Sequence, residues 1–233
     1  MELNSVTGSV SNKSAQIALF RNVYMWMTFA LIITGITALI VADSPSLIQA
    51  IFSNNILFFG LLIAEFGLVW YISARIHAIT FTNATMLFIL YSIINGVTLS
   101  FIFILYTTSS IASTFFVTAG TFGVMCLYGY FTKKDLTSIG NLCFMALIGL
   151  IIASVVNIFW SNSTMYWIIT YAGVLIFVGL TAYDTQKIKR LLLSEGTEVN
   201  ETTQKIALLG ALSLYLDFIN LFLYLLRLLG NRK

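Results

Sequence analysis

The chain has 233 residues, of which 59% are hydrophobic and only 9% are charged, and its mean hydropathy is +0.94. Because a soluble domain carries about 25% charged residues, this composition cannot cover a surface that faces water. The net charge of +3 comes from basic residues spread over several loops, so it gives no indication of nucleic-acid binding. The sequence therefore predicts an integral membrane protein.

The N-terminal segment divides into a polar tail and a first apolar run. Residues 1–20 are rich in Ser and Asn, which predicts a disordered cytosolic tail. The run VYMWMTFALIITGITALIVA at 23–42 is too long for the apolar core of a signal peptide, and no small-residue cleavage motif precedes the next polar stretch. We interpret it as a retained first helix.

Runs of roughly 20 apolar residues predict seven membrane-spanning helices. These helices are expected near residues 22–42, 53–74, 82–106, 111–131, 140–160, 164–186 and 206–229. No stretch between them is long enough for a soluble domain. We therefore predict an all-α fold in which residues 21–233 form a single seven-helix membrane domain.

The basic residues predict the orientation of these helices. They precede helix 1 or follow helices 2, 4 and 6, at Lys13, Arg21, Arg75, Lys133, Lys134, Lys187, Lys189, Arg190 and Lys205. The loops after helices 1, 3 and 5 contain no Lys or Arg, so the N-terminus is expected in the cytosol of a bacterium, with the chain in its inner membrane. Helix 7 is expected to span the membrane even though three basic residues follow Asp217 at the chain end.

Helix 7 carries a carboxyl group in the middle of an apolar segment. The stretch ALSLYLDFINLFLYLL at 211–226 contains Asp217, with no Lys or Arg within nine residues on either side. At 3.6 residues per turn, one stripe of this helix contains Gly210, Ser213, Asp217, Asn220 and Tyr224. A polar stripe of this kind is expected to face protein or water rather than lipid.

Two further acids could meet Asp217. Glu65 lies inside helix 2, and Asp184 lies at the end of helix 6 in GLTAYDTQKIKR. Each has a plainer interpretation, since Asp184 could pair with nearby lysines at the surface and Glu65 could contact a polar group on another helix. Asp217 could likewise be a neutral, hydrogen-bonded acid. Asp184 and Asp217 reach the same depth only if helix 6 continues through residues 187–193 or helix 7 starts late.

These residues carry a resemblance to a known family. ITYAGVLIFVGLTAYDTQKIK at 169–189 and ALSLYLDFINLFLYLLRLLG at 211–230 resemble the last two helices of the Bax inhibitor-1 family, which has bacterial members. NGVTLSFIFILY at 95–106 and TFFVTAGTFGVMCLYGYFTKKDL at 114–136 resemble its helix 3 and helix 4 signature. The resemblance covers most of the chain from about residue 20 onward.

The resemblance implies a fold in which helix 7 is central and two groups of three helices wrap it. It also implies that Asp184 and Asp217 form a hydrogen-bonded carboxyl pair. Arg75 matches a basic residue that reaches one of these acids in the family and would act as a latch. Glu65 looks like the family's helix 2 acid.

The resemblance further implies a pH-sensitive calcium leak channel with no cofactor and no enzymatic activity. Two adjacent carboxyl groups cannot both ionise cheaply, so they share a proton and titrate as a unit. We expect Asp184 and Asp217 to sense pH and to contact the passing Ca²⁺ when deprotonated, with Glu65 and Asn220 as further candidates for the ion path. The expected partners are the lipid bilayer and calcium ions, and another membrane protein is a candidate partner.

Two other functions fit parts of the pattern. Paired aspartates on helices 6 and 7 also occur in intramembrane aspartyl proteases, but Asp217 lacks their Gly-x-Gly-Asp context and no Pro-Ala-Leu motif is present. The third interpretation, after the channel and the protease, is a regulator that binds a membrane protease or another membrane protein. Small residues such as Gly120 and Gly123 could support contacts with such a partner, although internal helix contacts explain them as well.

Overall fold

The structure is a computed structural model that describes residues 2–194 and 200–233, and 88% of these described residues are helical. Within those residues it contains no β-strand, only one isolated bridge. The helices in the described part are α1 (Glu2–Ala42), α2 (Pro45–Phe52), α3 (Asn55–Arg75), α4 (Phe81–Leu99), α5 (Ile102–Leu105), α6 (Thr108–Phe131), α7 (Thr137–Phe159), α8 (Ser163–Ser194) and α9 (Glu201–Leu229).

Seven segments are long and apolar enough to cross a membrane, which confirms the all-α membrane fold. They are Ile17–Ala42, Asn55–Arg75, Phe81–Leu105, Thr108–Phe131, Thr137–Phe159, Ser163–Ser194 and Glu201–Leu229. The third segment combines α4 and α5, which are interrupted at residues 100–101. The sixth and seventh are longer than expected, because α8 continues past residue 186 and α9 begins before residue 206.

Polar side chains mark the starts of several helices. Asn54 accepts hydrogen bonds from the backbone N–H groups of Ile56 and Leu57 at the start of α3. Thr80 and Thr107 cap α4 and α6 in the same way. Because the first turn of a helix has no internal acceptors for its N–H groups, these caps satisfy donors that hydrocarbon could not.

The chain divides into two compact units, of which the first comprises residues Met1–Leu105 and Ile188–Tyr215. In this unit α4 packs against α1 and α3. The contact with α1 requires Gly96, because a Cβ atom there would lie 2.6 Å from the backbone oxygen of Thr34. Small residues permit this close approach of two backbones, which is how helices associate in lipid.

The second unit comprises residues Tyr106–Lys187 and Leu216–Lys233. Here α6 packs against α9 through aromatic rings, with Phe218 in edge-to-face contact with Phe115 and Phe122 at centroid distances of 5.5 and 5.3 Å. Gly129 of α6 lies directly against the backbone of Ala182 in α8. The aromatic contacts and the glycine together fix α6 against both later helices.

The C-terminus is bound to the starts of α6 and α8. Tyr106 and Arg232 form an antiparallel bridge, and the N–H of Asn231 donates to Ser110 Oγ at 3.0 Å. The Arg232 guanidinium donates to the hydroxyl of Tyr166 at 2.9 Å, and its hydrogen bond with Tyr106 raises the pKa of Arg232. The chain therefore ends on the same side as the α5–α6 and α7–α8 connections, as expected if α9 spans the membrane.

The burial of the membrane-spanning helices bears on the predicted helix arrangement. In the most apolar stretch of α9, 72% of the residues are buried inside the protein, whereas in the corresponding stretches of α3 and α7 the share is 6%. A central helix 7 and a single domain over residues 21–233 stay predictions, as does the disordered tail over 1–20. Of that tail, Met1 and the side chains of residues 2–16 lie outside the described part of the chain.

Candidate functional site

The lengths of α8 and α9 determine the depths of two intramembrane acids, which differ by about 9 Å. Asp184 lies ten residues before the end of α8, or about 15 Å along its axis, and Asp217 lies sixteen residues after the start of α9, or about 24 Å. Both distances are measured from the helix ends that the 195–200 connection joins. The continuation of α8 through residues 187–193 makes Asp184 deeper than expected, but the early start of α9 does the same for Asp217, so the predicted mismatch of about 13 Å falls only to about 9 Å.

The carboxyl groups of Asp184 and Asp217 act on each other electrostatically. Asp217 is only 5% exposed, and its Oδ2 atom is buried without a hydrogen-bond partner in the described residues. Asp184 is half-buried and is attracted by Lys187, one turn further along α8. No hydrogen bond joins the two carboxyl groups in the described part of the chain, so the hydrogen-bonded pair stays a prediction.

The polar stripe of α9 faces α8 at both of its ends. In the second unit, the ring of Tyr224 stacks on Phe177 at a centroid distance of 5.8 Å and covers Gly173, where a Cβ atom would lie 2.6 Å from that ring. In the first unit, a Cβ atom on Gly210 would lie 3.0 Å from Ile188. The stripe that carries Asp217 is therefore directed at protein rather than at lipid.

Cys143 of α7 lies close to the same acids. The negative charge of Asp217 acts on its thiol, and a Cβ atom on Gly179 would lie 2.6 Å from its sulfur. The sequence indicates only a buried thiol at Cys143 and at Cys126. The proximity of Cys143 to Asp217 has no signal in the sequence, because it depends on how α7 packs.

Glu65 belongs to a separate polar cluster in the first unit. Its Oε1 accepts from the Thr98 hydroxyl at 2.5 Å, and its Oε2 accepts from Asn95 Nδ2 at 3.3 Å. The Tyr215 hydroxyl donates to Asn95 Oδ1 at 2.9 Å and lies 2.7 Å from Thr34 Oγ1. Glu65 thus contacts polar groups of α4, which is the plainer of its two interpretations.

The sequence analysis missed the partners of Glu65, although a signal for them exists. Asn95 and Thr98 are polar residues in the otherwise apolar NGVTLSFIFILY stretch, and Tyr215 lies two residues before Asp217. Buried polar side chains in a membrane helix normally find partners. The chain positions of these residues do not show which partner each one finds.

The other predicted site residues have simpler surroundings. Arg75 is the last residue of α3 and is exposed, so its role as a latch stays a prediction. Asn220 is half-buried and donates from Nδ2 to the backbone oxygen of Leu216 at 2.8 Å, within α9. A place for Asn220 in an ion path also stays a prediction.

The acids do not form a dense metal-binding cluster. No group of three or more His, Cys, Asp or Glu side chains that could hold a metal occurs in the part of the chain that the structure describes. Ca²⁺ takes six to eight oxygen ligands, whereas Asp184 and Asp217 offer at most four. Water or backbone oxygens would have to complete the shell, which suits a passing ion better than a resident one.

Comparisons with known proteins give consistent results. A family model described as "Inhibitor of apoptosis-promoting Bax1" matches residues 16–233. The chain is 52% identical over 211 residues to an Escherichia coli K12 protein named "Inner membrane protein YbhL", covering 91% of this chain and 90% of that protein. It is also 46% identical to an uncharacterized protein of Borreliella burgdorferi over 91% of this chain and 90% of that one. A Rickettsia prowazekii protein, "Uncharacterized protein RP147", is 40% identical over 98% of this chain and 97% of its own length.

Proposed function

Because this chain belongs to the Bax inhibitor-1 family, we propose that it is a pH-sensitive calcium leak channel in a bacterial inner membrane. The observation that carries the proposal is the electrostatic contact between Asp184 and Asp217 inside two membrane-spanning helices. Two neighbouring carboxyl groups, of which Asp217 is buried and Asp184 half-buried, would form a site whose charge changes with pH. The name of the Escherichia coli relative supports the inner-membrane location.

The chemistry of the pair sets the direction of the pH response. When the two carboxyl groups share one proton, they carry a single negative charge. Loss of that proton at higher pH adds a second charge, so the repulsion between α8 and α9 increases and the site attracts a divalent cation. We therefore expect Ca²⁺ flux to rise with pH, with Arg75 acting as a latch that favours the closed state.

The protein needs no cofactor in this proposal, since Ca²⁺ is the transported ion. It also needs no enzymatic activity, because the carboxyl groups act on a cation and a proton rather than on a peptide bond. The alternative is a regulator of a membrane protease or another membrane protein. For that alternative, Gly120 and Gly123 are of interest, since no atom of residues 2–194 or 200–233 would lie within 4 Å of a Cβ atom at either position.

The test is Ca²⁺ entry into dye-loaded liposomes that contain only the purified chain, measured at about pH 8. We expect entry several-fold faster than into empty liposomes, and an equal rate for the variant Asp43→Asn, which changes an exposed acid between α1 and α2. Entry no faster than in empty liposomes would contradict the channel and favour the regulator. Cleavage of a membrane substrate that is lost in Asp184→Asn would favour the protease instead.

A further inference from the structure

The Glu65 cluster lies at the middle of the membrane-spanning part of the first unit. Glu65 is ten residues from either end of α3, while its neighbours Ile63 and Phe66 on the same helix are 72% and 76% exposed to the surroundings of the protein. Its carboxyl group instead turns towards α4 and accepts hydrogen bonds from Asn95 and Thr98. An ionised carboxyl at this depth is costly unless a basic group compensates it.

No basic group compensates Glu65 in the described residues. The titratable side chains that act on it electrostatically are Tyr91 of α4 and Tyr215 of α9, and neither carries a positive charge. Its contact with α4 otherwise consists of the neutral Asn95 and Thr98. Arg75, at the end of the same helix, is about 15 Å away along the axis.

The contacts of Thr98 accommodate both a neutral and an ionised Glu65. The single proton of the Thr98 hydroxyl has three acceptors within reach, namely Glu65 Oε1 at 2.5 Å, the backbone oxygen of Asn95 at 3.0 Å and that of Ile94 at 3.4 Å. If Glu65 carries a proton, it donates to Thr98, and Thr98 can then donate to the backbone of α4. If Glu65 is ionised, Thr98 gives its proton to the carboxylate. Both states are hydrogen-bonded with little movement of atoms.

Tyr215 determines which way the amide of Asn95 points. Its hydroxyl donates to Asn95 Oδ1, so Asn95 turns its Nδ2 group towards Glu65. The ring of Tyr215 is held edge-to-face by Phe88 and Tyr91, and its hydroxyl also meets Thr34. Tyr215 is therefore a positioning residue that joins α9 to the carboxyl group of α3 through Asn95.

We propose that Glu65 and its hydrogen-bonded partners form a second proton-binding site, separate from the aspartyl pair. One proton is exchanged at the Glu65 carboxyl, and the Asn95–Tyr215 hydrogen bond connects this site to α9. The ligand is the proton alone, since one carboxyl group with an amide and a hydroxyl is too small a donor set for Ca²⁺. The proposal concerns proton binding and does not depend on whether the chain conducts Ca²⁺.

The experiment is infrared difference spectroscopy of the full chain in lipid vesicles between about pH 5 and pH 8, which detects the C=O stretch of a protonated carboxyl group. We expect Glu65→Gln to remove one such band, and Asp217→Asn to leave that band in place. Gln keeps one donor and one acceptor for Thr98 and Asn95, so this variant is expected to fold. Because this measurement detects protons rather than flux, its failure is distinguishable from failure of the proposed channel.

Two variants on α4 test the hydrogen bond between Thr98 and Glu65. Thr98→Val should shift the Glu65 band and the pH at which it titrates, and Thr98→Ser should restore both. The matched control is Thr85→Val, because the Thr85 hydroxyl on the same helix is buried without a hydrogen-bond partner in the described residues. An unchanged set of bands in Glu65→Gln would overturn the proton site. A Glu65 band that is identical in Thr98→Val and in the unmodified chain would overturn the role of Thr98.

Discussion

Asp217 has no basic group beside it to stabilise its charge in the part of the chain that the structure describes. Its Oδ2 atom is buried and unpaired in the described residues, and the nearest charged influence on it is the like charge of Asp184. Placing a charged Asp at the centre of a bilayer costs at least about 2.5–3.5 kcal/mol. In the proposed channel this cost is lower while Asp217 shares a proton with Asp184, which is how the proposal accounts for a pH response.

Removal of either acid should relieve their repulsion. We expect Asp184→Asn and Asp217→Asn each to leave the free energy of unfolding in detergent unchanged or raised by about 1 kcal/mol, and the double variant to gain no more than either single one. The measurement is a double-mutant cycle by thermal or SDS unfolding, with Asp43→Asn as the control for loss of an exposed acid. Strictly additive effects would show that the two carboxyl groups do not interact.

The sequence allows the acids to be identified but not their surroundings. Asp217 stands out because it is alone in an apolar run, and Asp184 because of the family motif. The contacts of Asn95 with Glu65 and Tyr215 join positions 30 and 120 residues apart. Pairings over such separations arise from the packing of α3, α4 and α9, which hydrophobic patterns do not encode.

At the scale of helices, close packing depends on a few glycines that sequence spacing did not reveal. At Gly120 and Gly123 of α6 a Cβ atom would meet no atom of the described residues within 4 Å, whereas Gly129 of the same helix lies against the backbone of α8. Gly173 of α8 accommodates the ring of Tyr224. Every glycine in an apolar run looks alike in the sequence, so only the direction of each helix face distinguishes a contact from an exposed position.

Gly173→Ala should weaken the packing of α8 against α9. The added methyl would lie 2.6 Å from the Tyr224 ring, which is stacked on Phe177 and covered by Arg227. Because the ring is held on both sides, we expect a loss of about 1–3 kcal/mol in the free energy of unfolding. The matched control, Gly120→Ala, meets no atom within 4 Å and should be neutral or slightly stabilising. Equal effects of the two substitutions would contradict this packing.

The lengths of α8 and α9 were harder to predict than their existence. The apolar runs ended near residue 186 and restarted near residue 206, but α8 continues to Ser194 and α9 begins at Glu201. In the extension of α8, Ile188 and Leu192 are buried, while Lys187 and Arg190 are exposed. Hydropathy windows detect hydrocarbon-spanning segments and miss amphipathic extensions beyond them.

At the scale of the whole molecule, the position of the basic residues and the contacts of the C-terminus together predict topology. Lys and Arg follow alternate helices, which predicts that the N-terminus lies in the cytosol. The chain end contacts the starts of α6 and α8, at the ends of those helices that lack basic loops. Arg227 and Arg232 are therefore expected outside the cytosol, against the usual charge bias, where the ring of Tyr166 lies about 6 Å from each guanidinium.

Reporter fusions in bacterial cells test this topology. Alkaline phosphatase fused after Lys233 should be active and green fluorescent protein at the same position should be dark, because the former folds only outside the cytosol and the latter only within it. Fusions after Lys134, at the other end of α6, should give the opposite pair of results. A fluorescent C-terminal fusion would show that α9 returns to the cytosolic side.

The central claim is that a proton shared by Asp184 and Asp217 controls ion flow. The most direct test is the rate of Ca²⁺ entry into liposomes as a function of pH, from about pH 5 to about pH 8, for the unmodified chain, Asp184→Asn and Asp217→Asn. The account predicts entry that rises with pH in the unmodified chain and in the Asp43→Asn control, and a flat profile in both variants of the pair. Variants of the pair that keep the original pH profile would contradict it.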